Sequence, residues 1–125
     1  MGSSGGATYG DIMNHGLAYI VKRGETQGDS LYGKVNGNKL AVAGHSLGGG
    51  ATIGAARKWP EKLSVGIPLH PNPFPLEGRA TGSSVPLLYF GGTSDRITSS
   101  SLIKSRQFSR GSEPRLFANL RGGGT

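Results

Sequence analysis

The feature that most constrains this chain is the stretch at residues 40–50, where a short apolar run ends in Gly-His-Ser-Leu-Gly. The residues that follow, 51–56, are small and have a helical pattern. The stretch therefore predicts a strand, a sharp turn and a helix, with Ser46 at the apex of the turn. We expect small residues to be required at Gly44 and Gly48, because side chains there would collide with the strand or the helix.

A serine in such a turn is typical of a catalytic nucleophile. The turn raises the Ser46 hydroxyl above the edge of the sheet, where a base can reach it. The backbone N–H of Leu47, at the start of the new helix, points toward the space where an oxyanion would form. The alternative is a glycine-rich turn with a solvated serine, but a strand before the motif and a helix after it favour the nucleophile.

Composition limits the size and class of the protein. The chain has 125 residues, which is one domain at most, and its 23 glycines leave a modest core. The net charge of +7 comes from basic residues scattered along the chain, which indicates a solvated surface and not a nucleic-acid-binding patch. With no cysteine there is no disulfide and no thiolate metal site, and no apolar run has membrane-spanning length.

Periodicity predicts a first helix from Thr8 to Lys22 with one apolar side, formed by Ile12, Met13, Leu17, Tyr19 and Ile20. His15 lies in this helix and is interpreted as a surface residue. Residues 24–38 are polar and glycine-rich and predict a loop, with one possible helical turn at 30–34.

The remainder alternates between strand-like and helix-like segments. Strands are predicted at residues 39–43, 62–69, 85–90 and 113–120, with helices from the serine turn to about residue 58 and at 98–108. This alternation predicts an α/β fold with about four parallel strands and helices on both faces. Residues 1–7 are interpreted as a flexible start or the remnant of an expression tag, and residues 8–125 as one partial domain.

Two further side chains fall where parallel strands end. Asp95 follows the apolar run 85–90, where a carboxylate could orient a histidine; capping of the next helix is the alternative. His70 follows the predicted strand 62–69, at the sheet edge where α/β folds bind ligands. We interpret His70 as a residue that lines the substrate cleft and not as a general base, because it comes earlier in the chain than the base does in the usual order of catalytic residues.

Three segments together resemble the α/β-hydrolase superfamily: Gly-His-Ser-Leu-Gly-Gly at 44–49, Gly-Ile-Pro-Leu at 66–69, and Val-Pro-Leu-Leu-Tyr-Phe-Gly-Gly-Thr-Ser-Asp at 85–95. Within it, the dienelactone hydrolase, chlorophyllase and cutinase-like polyester hydrolase group is the most similar. The resemblance implies Ser46 as nucleophile, Asp95 as triad acid and the Leu47 N–H as an oxyanion donor. It also implies that His70, Asn72 and Ile97 line the substrate cleft.

The departures from this family are as informative as the matches. The family's catalytic histidine lies in the loop after the last strand, and no histidine follows Asp95 in this sequence. The strands and the second oxyanion donor that the family places ahead of the serine turn are also absent. We therefore expect a C-terminal-half fragment of a hydrolase domain, with weak or no activity on its own unless His45 or His70 acts as the base.

The sequence thus predicts a serine hydrolase that cleaves carboxylic esters through an acyl-enzyme. Its expected partner is a small-molecule or polymeric ester, with no cofactor, no metal, no nucleic acid and no membrane span. The alternatives are a non-catalytic binding or scaffold relative and a degenerate hydrolase fragment. The natural ester and the cellular compartment are not predicted.

Overall fold

The computed structural model describes residues 8–73 and 83–124. In chain order its elements are α1 (Tyr9–Glu25), β1 (Leu40–His45), α2 (Leu47–Lys58), β2 (Leu63–Leu69), β3 (Leu87–Gly92), α3 (Ser100–Arg106), a 3₁₀ turn (Phe108–Arg110) and β4 (Arg115–Leu120). Each predicted strand and helix is present. The last helix is shorter than expected, because Gln107 leaves the α-helical conformation at its carboxyl end.

The four strands form one parallel sheet in the order β1-β2-β3-β4. The prediction of about four parallel strands with helices around them is confirmed. His45 of β1 lies opposite Leu69 of β2, and Leu69 lies opposite Phe90 of β3. Because the strands are parallel, the segments that leave their carboxyl ends meet at one edge of the sheet.

The core lies between the sheet and the helices. Ile53 of α2, Ile103 of α3 and Tyr89 of β3 are completely buried. Glycines allow the close approach: a Cβ on Gly66 would lie 3.3 Å from the Thr52 methyl of α2, and one on Gly91 would lie 3.3 Å from Ile103 of α3. Elsewhere on the sheet, Leu116 and Leu120 of β4 are exposed.

Helix α1 is present, but the predicted apolar side is wrong in part. Ile12, Tyr19 and Ile20 are exposed, whereas Met13, Leu17 and Val21 pack against the core. Small and polar residues make the closest approach: Asn14 donates from Nδ2 to the Ala55 carbonyl at 3.2 Å, and a Cβ on Gly24 would lie 2.6 Å from the Val35 Cβ. The packing side is therefore set by close contact with α2 and the following loop.

Residues 26–34 form a series of hydrogen-bonded turns, without the helical turn considered for residues 30–34. Within the described ranges 8–73 and 83–124, no helix has both the length and the apolar character needed to cross a membrane. The segment 1–7, interpreted from sequence as a flexible start, falls outside the described residues.

The start of α1 offers a test of stability against pH. Asp11 and Thr8 form a reciprocal cap, and Lys58 Nζ lies 2.8 Å from Asp11 Oδ2. The hydrogen bonds from Lys58 and then from Thr8 hold the pKa of the Asp11 carboxyl well below its usual range. A lowered pKa in the folded state stabilises the fold above the unfolded-state pKa, about 3.9, and this stabilisation is lost as the pH falls below it.

We therefore expect Asp11→Asn to lower the free energy of unfolding at pH 7. The difference from the unchanged protein should shrink steadily as the pH falls below about 4. Urea unfolding at a series of pH values measures this. Glu61→Gln, an exposed acid in the turn after α2, is the control and should change stability little. A difference for Asp11→Asn that is the same at low and neutral pH would contradict the role given to the carboxylate.

Candidate active site

Ser46 occupies the turn between β1 and α2 in a conformation rare for a residue with a side chain. Its φ is 56° and its ψ is −114°. The end of β2 and the segment after it hold Ser46 there: its N–H donates to the Leu69 carbonyl at 3.0 Å, and its carbonyl accepts from the Asn72 N–H at 2.9 Å. The carbonyl also accepts the first helical bond of α2, from Gly50 N at 3.1 Å. The residue is partly exposed at the sheet edge.

The need for a small residue is confirmed at one of the two predicted glycines. A Cβ on Gly44 would lie 2.5 Å from the carbonyl carbon of Gly48 and closer still to its oxygen. A Cβ on Gly48 itself would meet none of the described atoms within 4 Å, so the steric requirement predicted there is wrong. Gly49 is the second crowded position, because a Cβ would lie 2.8 Å from Pro71 Cα in the loop after β2.

This difference makes a matched pair of variants. Gly44→Ala presses a methyl group against backbone that cannot rotate away, so we expect a loss of about 1–3 kcal/mol in the free energy of unfolding. Gly48→Ala adds the same methyl within a helix and in open space, and should leave stability unchanged or raise it by up to about 1 kcal/mol. Urea unfolding of both variants measures the two effects. Equal losses for both would contradict the packing described for the turn.

Leu47 is the first residue of α2. The N–H groups of a helix's first turn have no acceptor within the helix, and they carry the positive end of the helix dipole. The Leu47 N–H therefore has the position expected of a donor to a developing oxyanion beside Ser46. The Leu47 side chain is exposed.

His70 and Asp95 form a buried pair at the same edge of the sheet. The His70 Nδ1 lies 2.7 Å from Asp95 Oδ2. The carboxylate is completely buried and the imidazole is 11% exposed. This contact requires Nδ1 to carry a hydrogen when Asp95 is ionised, and in the neutral ring it leaves Nε2 as the acceptor.

The Asp95 carboxylate accepts hydrogen bonds from the loop that follows β3. Oδ1 accepts from the N–H groups of Ile97 and Thr98, both at 2.8 Å. Oδ2 accepts from the Thr98 hydroxyl at 2.7 Å as well as from His70. These donors fix the orientation of the carboxylate.

The backbone holds His70 between the segments that follow β1 and β3, which contain Ser46 and Asp95. Its N–H donates to the Phe90 carbonyl of β3 at 2.8 Å, and its φ is 43°, in the left-handed region. The His45 ring lies nearby, with its centroid 6.0 Å from that of the His70 ring and the two planes tilted by 58°. His45 is exposed and is the last residue of β1.

The other residues predicted to line a cleft lie around this group. Asn72 is partly exposed and is held to Ser46 through its backbone. The Ile97 side chain is 76% exposed, and its N–H is one of the donors to Asp95. The structure thus brings Ser46, Leu47, His70, Asn72 and the Asp95–Ile97 loop to the carboxyl ends of β1, β2 and β3.

Two features of the site go beyond the sequence prediction. The sequence pattern indicates Thr98 only as the start of a helix, whereas its hydroxyl donates to Asp95 Oδ2. The second feature is the pairing of His70 with Asp95. The available signal is the general tendency of consecutive parallel strands to be neighbours, which would place the residue that leaves β2 between those that leave β1 and β3.

Known proteins share the region that carries this site. The family model described as "PETase: PET hydrolase-like" matches residues 6–111, which include the serine turn, His70 and Asp95. The chain belongs to the PET hydrolase-like family. This places it in the polyester hydrolase group of the α/β-hydrolases, as the sequence resemblance implied.

Curated relatives agree with this family. The chain is 38% identical to bis(hydroxyethyl) terephthalate hydrolase of Streptomyces coelicolor over 81 residues, which are 65% of this chain and 24% of that protein. It is 32% identical to cutinase 1 of Thermobifida cellulosilytica over 85 residues, 68% of this chain and 30% of the relative. Cutinase est2 of Thermobifida alba is 32% identical over 90 residues, 72% and 28% of the two chains. The matched region therefore spans under a third of each relative, all three of which are carboxylic ester hydrolases by name.

Proposed function

We propose that this PET hydrolase-like chain hydrolyses carboxylic esters through an acyl-enzyme on Ser46, and that its substrates include aromatic polyester fragments. The observation that carries the proposal is the position of Ser46, strained in a strand-to-helix turn beside the first N–H of α2 and a buried imidazole–carboxylate pair. The names of the relatives, cutinase and bis(hydroxyethyl) terephthalate hydrolase, supply the substrate class.

The reaction divides into two steps. A histidine takes the Ser46 proton while Oγ attacks the ester carbonyl, and the Leu47 N–H donates to the oxygen that becomes negative. The tetrahedral intermediate collapses, the alcohol leaves with the proton, and the acyl group stays on Ser46. Water, deprotonated by the same histidine, then releases the acid. Asp95 stabilises the imidazolium in both steps.

Asn72 and Ile97 are proposed to border the substrate cleft. Asn72 offers a polar side chain next to the nucleophile, and the exposed Ile97 offers apolar surface beside the acid. An exposed apolar side chain at the rim suits a flat aromatic ester, which gains from burial of its ring. Leu47 is the one oxyanion donor assigned among the described residues. Since the lack of one oxyanion donor costs about 10²–10³-fold in rate, we expect turnover by these 125 residues alone to be weak.

Turnover of soluble esters tests the proposal. The purified chain should release p-nitrophenol from p-nitrophenyl butyrate, and terephthalate monoester from bis(hydroxyethyl) terephthalate, above the rate in buffer. The matching amide, p-nitrobutyranilide, should be cleaved far more slowly because its leaving group is poorer. A folded chain that neither turns over these esters nor is labelled at Ser46 by a phosphonate ester probe would favour a non-catalytic binding relative.

A further inference from the structure

We propose that a groove at the amino ends of β1 and β2 binds a small aromatic carboxylate, a single ring that carries one carboxylate group. The groove lies between the carboxyl-terminal half of α1, the turn that leads into β1 and the turn that follows α2. Leu40, the first residue of β1, lines it, whereas Ser46 follows the last residue of that strand. The site is therefore separate from the candidate active site, and it does not depend on the proposed ester hydrolysis.

The walls of the groove are held in place by the fold. Leu40 is buried, and Val21 of α1 packs against the core. Trp59 follows the last residue of α2, and its carbonyl accepts from the Lys62 N–H at 3.1 Å. A Cβ on Gly37 would lie 3.1 Å from Val21 Cγ1, so the turn before β1 packs directly on α1. The groove is thus formed before any ligand arrives, as most small-molecule sites are.

The size and the apolar lining of the groove suit one aromatic ring. Its volume is about 180 Å³, and an apolar cavity of about 150 Å³ is large enough to bind benzene. The apolar surface comes from Ala18, Val21, Leu40 and the indole of Trp59. A ring placed there gains from the burial of its surface and from contact with the indole.

The charged residues of the groove favour an anion. Lys22 and Lys62 line it together with a single acid, Glu25, and all three are exposed. Among residues 8–73 and 83–124, no carboxylate lies within ion-pair distance of either lysine's ammonium group. The two lysines outnumber the acid, so a ligand with one carboxylate beside its ring complements both the charge and the apolar surface of the groove.

A neighbouring recess shares Trp59 with the groove but is lined mainly by polar and charged side chains. Its lysine, Lys58, already pairs with Asp11 at 2.8 Å. A second anion in this recess would have to compete with that carboxylate for the same ammonium group. We therefore assign the ligand's carboxylate to the groove that contains Lys22 and Lys62.

Benzoate is the probe, and Trp59, the single tryptophan of the chain, is the reporter. Its indole N–H gives one distinct signal in nitrogen–proton correlation NMR of the isotope-labelled chain. Titration with benzoate at constant ionic strength should shift this signal and the backbone signals of Val21 and Gly37, with saturation at millimolar concentration, as expected for a ligand of this size. Benzyl alcohol has the same ring without the charge and should bind about fivefold more weakly.

The charges of the groove predict variants with opposite effects on benzoate binding. Lys22→Gln and Lys62→Gln should each weaken it by about 2–5-fold, and Glu25→Gln should strengthen it by about twofold, because a repelling charge is removed. Lys104→Gln, in α3, is the matched control and should leave the affinity unchanged. All four side chains are exposed, so each variant should remain folded. The affinity for benzyl alcohol should change little in any of them.

Three results would overturn the site. The first is no saturable shift at Trp59, Val21 and Gly37. The second is saturable shifts confined to Asn14 and His15, which line the neighbouring recess. The third is equal affinity for benzoate and benzyl alcohol, with no effect of the lysine and glutamate variants.

Binding is measured without turnover, so the test is independent of the proposed hydrolysis. Ser46→Ala lacks the nucleophile and should give the same titration as the unchanged chain. Loss of ester turnover with benzoate binding intact would leave the groove in place, and the reverse result would leave the proposed hydrolysis in place.

Discussion

Ser46→Ala is expected to reduce ester turnover by about 10⁴-fold or more, to the rate left by binding and the oxyanion donor alone. The substitution removes one oxygen and keeps Cβ, and the turn is held by backbone hydrogen bonds from Ser46 N and to Ser46 O that alanine also makes. Stability should therefore change little, and the loss should be confined to kcat. Steady-state kinetics with p-nitrophenyl butyrate, together with urea unfolding, measure both quantities.

The matched control is Ser64→Ala, an exposed serine near the start of β2. It removes the same hydroxyl without touching the site and should leave kcat and KM unchanged. If Ser46→Ala kept most of the activity, the nucleophile would be another group or the activity would come from a contaminant.

Asp95→Asn is expected to have the second largest effect, a loss of about 10⁴-fold in kcat. The carboxylate accepts from donors on both oxygens, whereas an amide offers one acceptor and one donor. If the amide oxygen faces the Ile97 and Thr98 N–H groups, its nitrogen faces His70. The ring must then present an unprotonated Nδ1, and the carboxylate that would stabilise the imidazolium of the catalytic histidine is lost.

The same substitution should lower the free energy of unfolding by about 1–3 kcal/mol, because a buried donor is left without a good acceptor. Asp29→Asn is the control. Asp29 lies in the segment after α1, and its carboxylate pairs with Arg23 at 2.9 Å. Loss of this ion pair in Asp29→Asn should leave activity unchanged and alter the free energy of unfolding little, because surface ion pairs contribute little. Nitrogen NMR of the His70 ring would report the change of tautomer directly. Full activity in Asp95→Asn would contradict the role of the acid.

The sheet and its serine turn could be predicted because their signals are local and agree with each other. The apolar run of β1, the glycines of the motif and the helical pattern of α2 all point to one strand–turn–helix unit. The run at residues 85–90 is short, continuously apolar and followed by glycines, which is typical of a buried parallel strand. Four parallel strands then follow from the alternation alone.

The packing side of α1 could not be predicted because apolar residues lie on more than one side of that helix. The contact with α2 is made through small and polar groups, Asn14 on Ala55 among them, and hydrophobic periodicity gives such residues no weight.

The steric requirement predicted at Gly48 is wrong for a different reason. The motif pairs Gly48 with Gly44, but the crowding is between Gly44 and the Gly48 backbone, which any residue would supply.

The contact between His70 and Asp95 depends on the register of the sheet. In the sequence the two residues are 25 positions apart, and the family order of catalytic residues points to the loop after the last strand. Placing Leu69 opposite His45 on one side and Phe90 on the other puts His70 between the serine and the acid. The order of strands in the sheet therefore indicates that His70 and Asp95 are paired, although the order of residues along the chain does not.

Ser46 is proposed to carry an acyl group during ester cleavage, and trapping that intermediate tests the proposal most directly. The chain is mixed with excess p-nitrophenyl butyrate and quenched in acid within the first turnovers, and its intact mass and peptide map are recorded. We expect one added butyryl group, located on Ser46 and absent from Ser46→Ala. Release of p-nitrophenol by the folded chain with no acyl group on Ser46, or with the group on another residue, would contradict it.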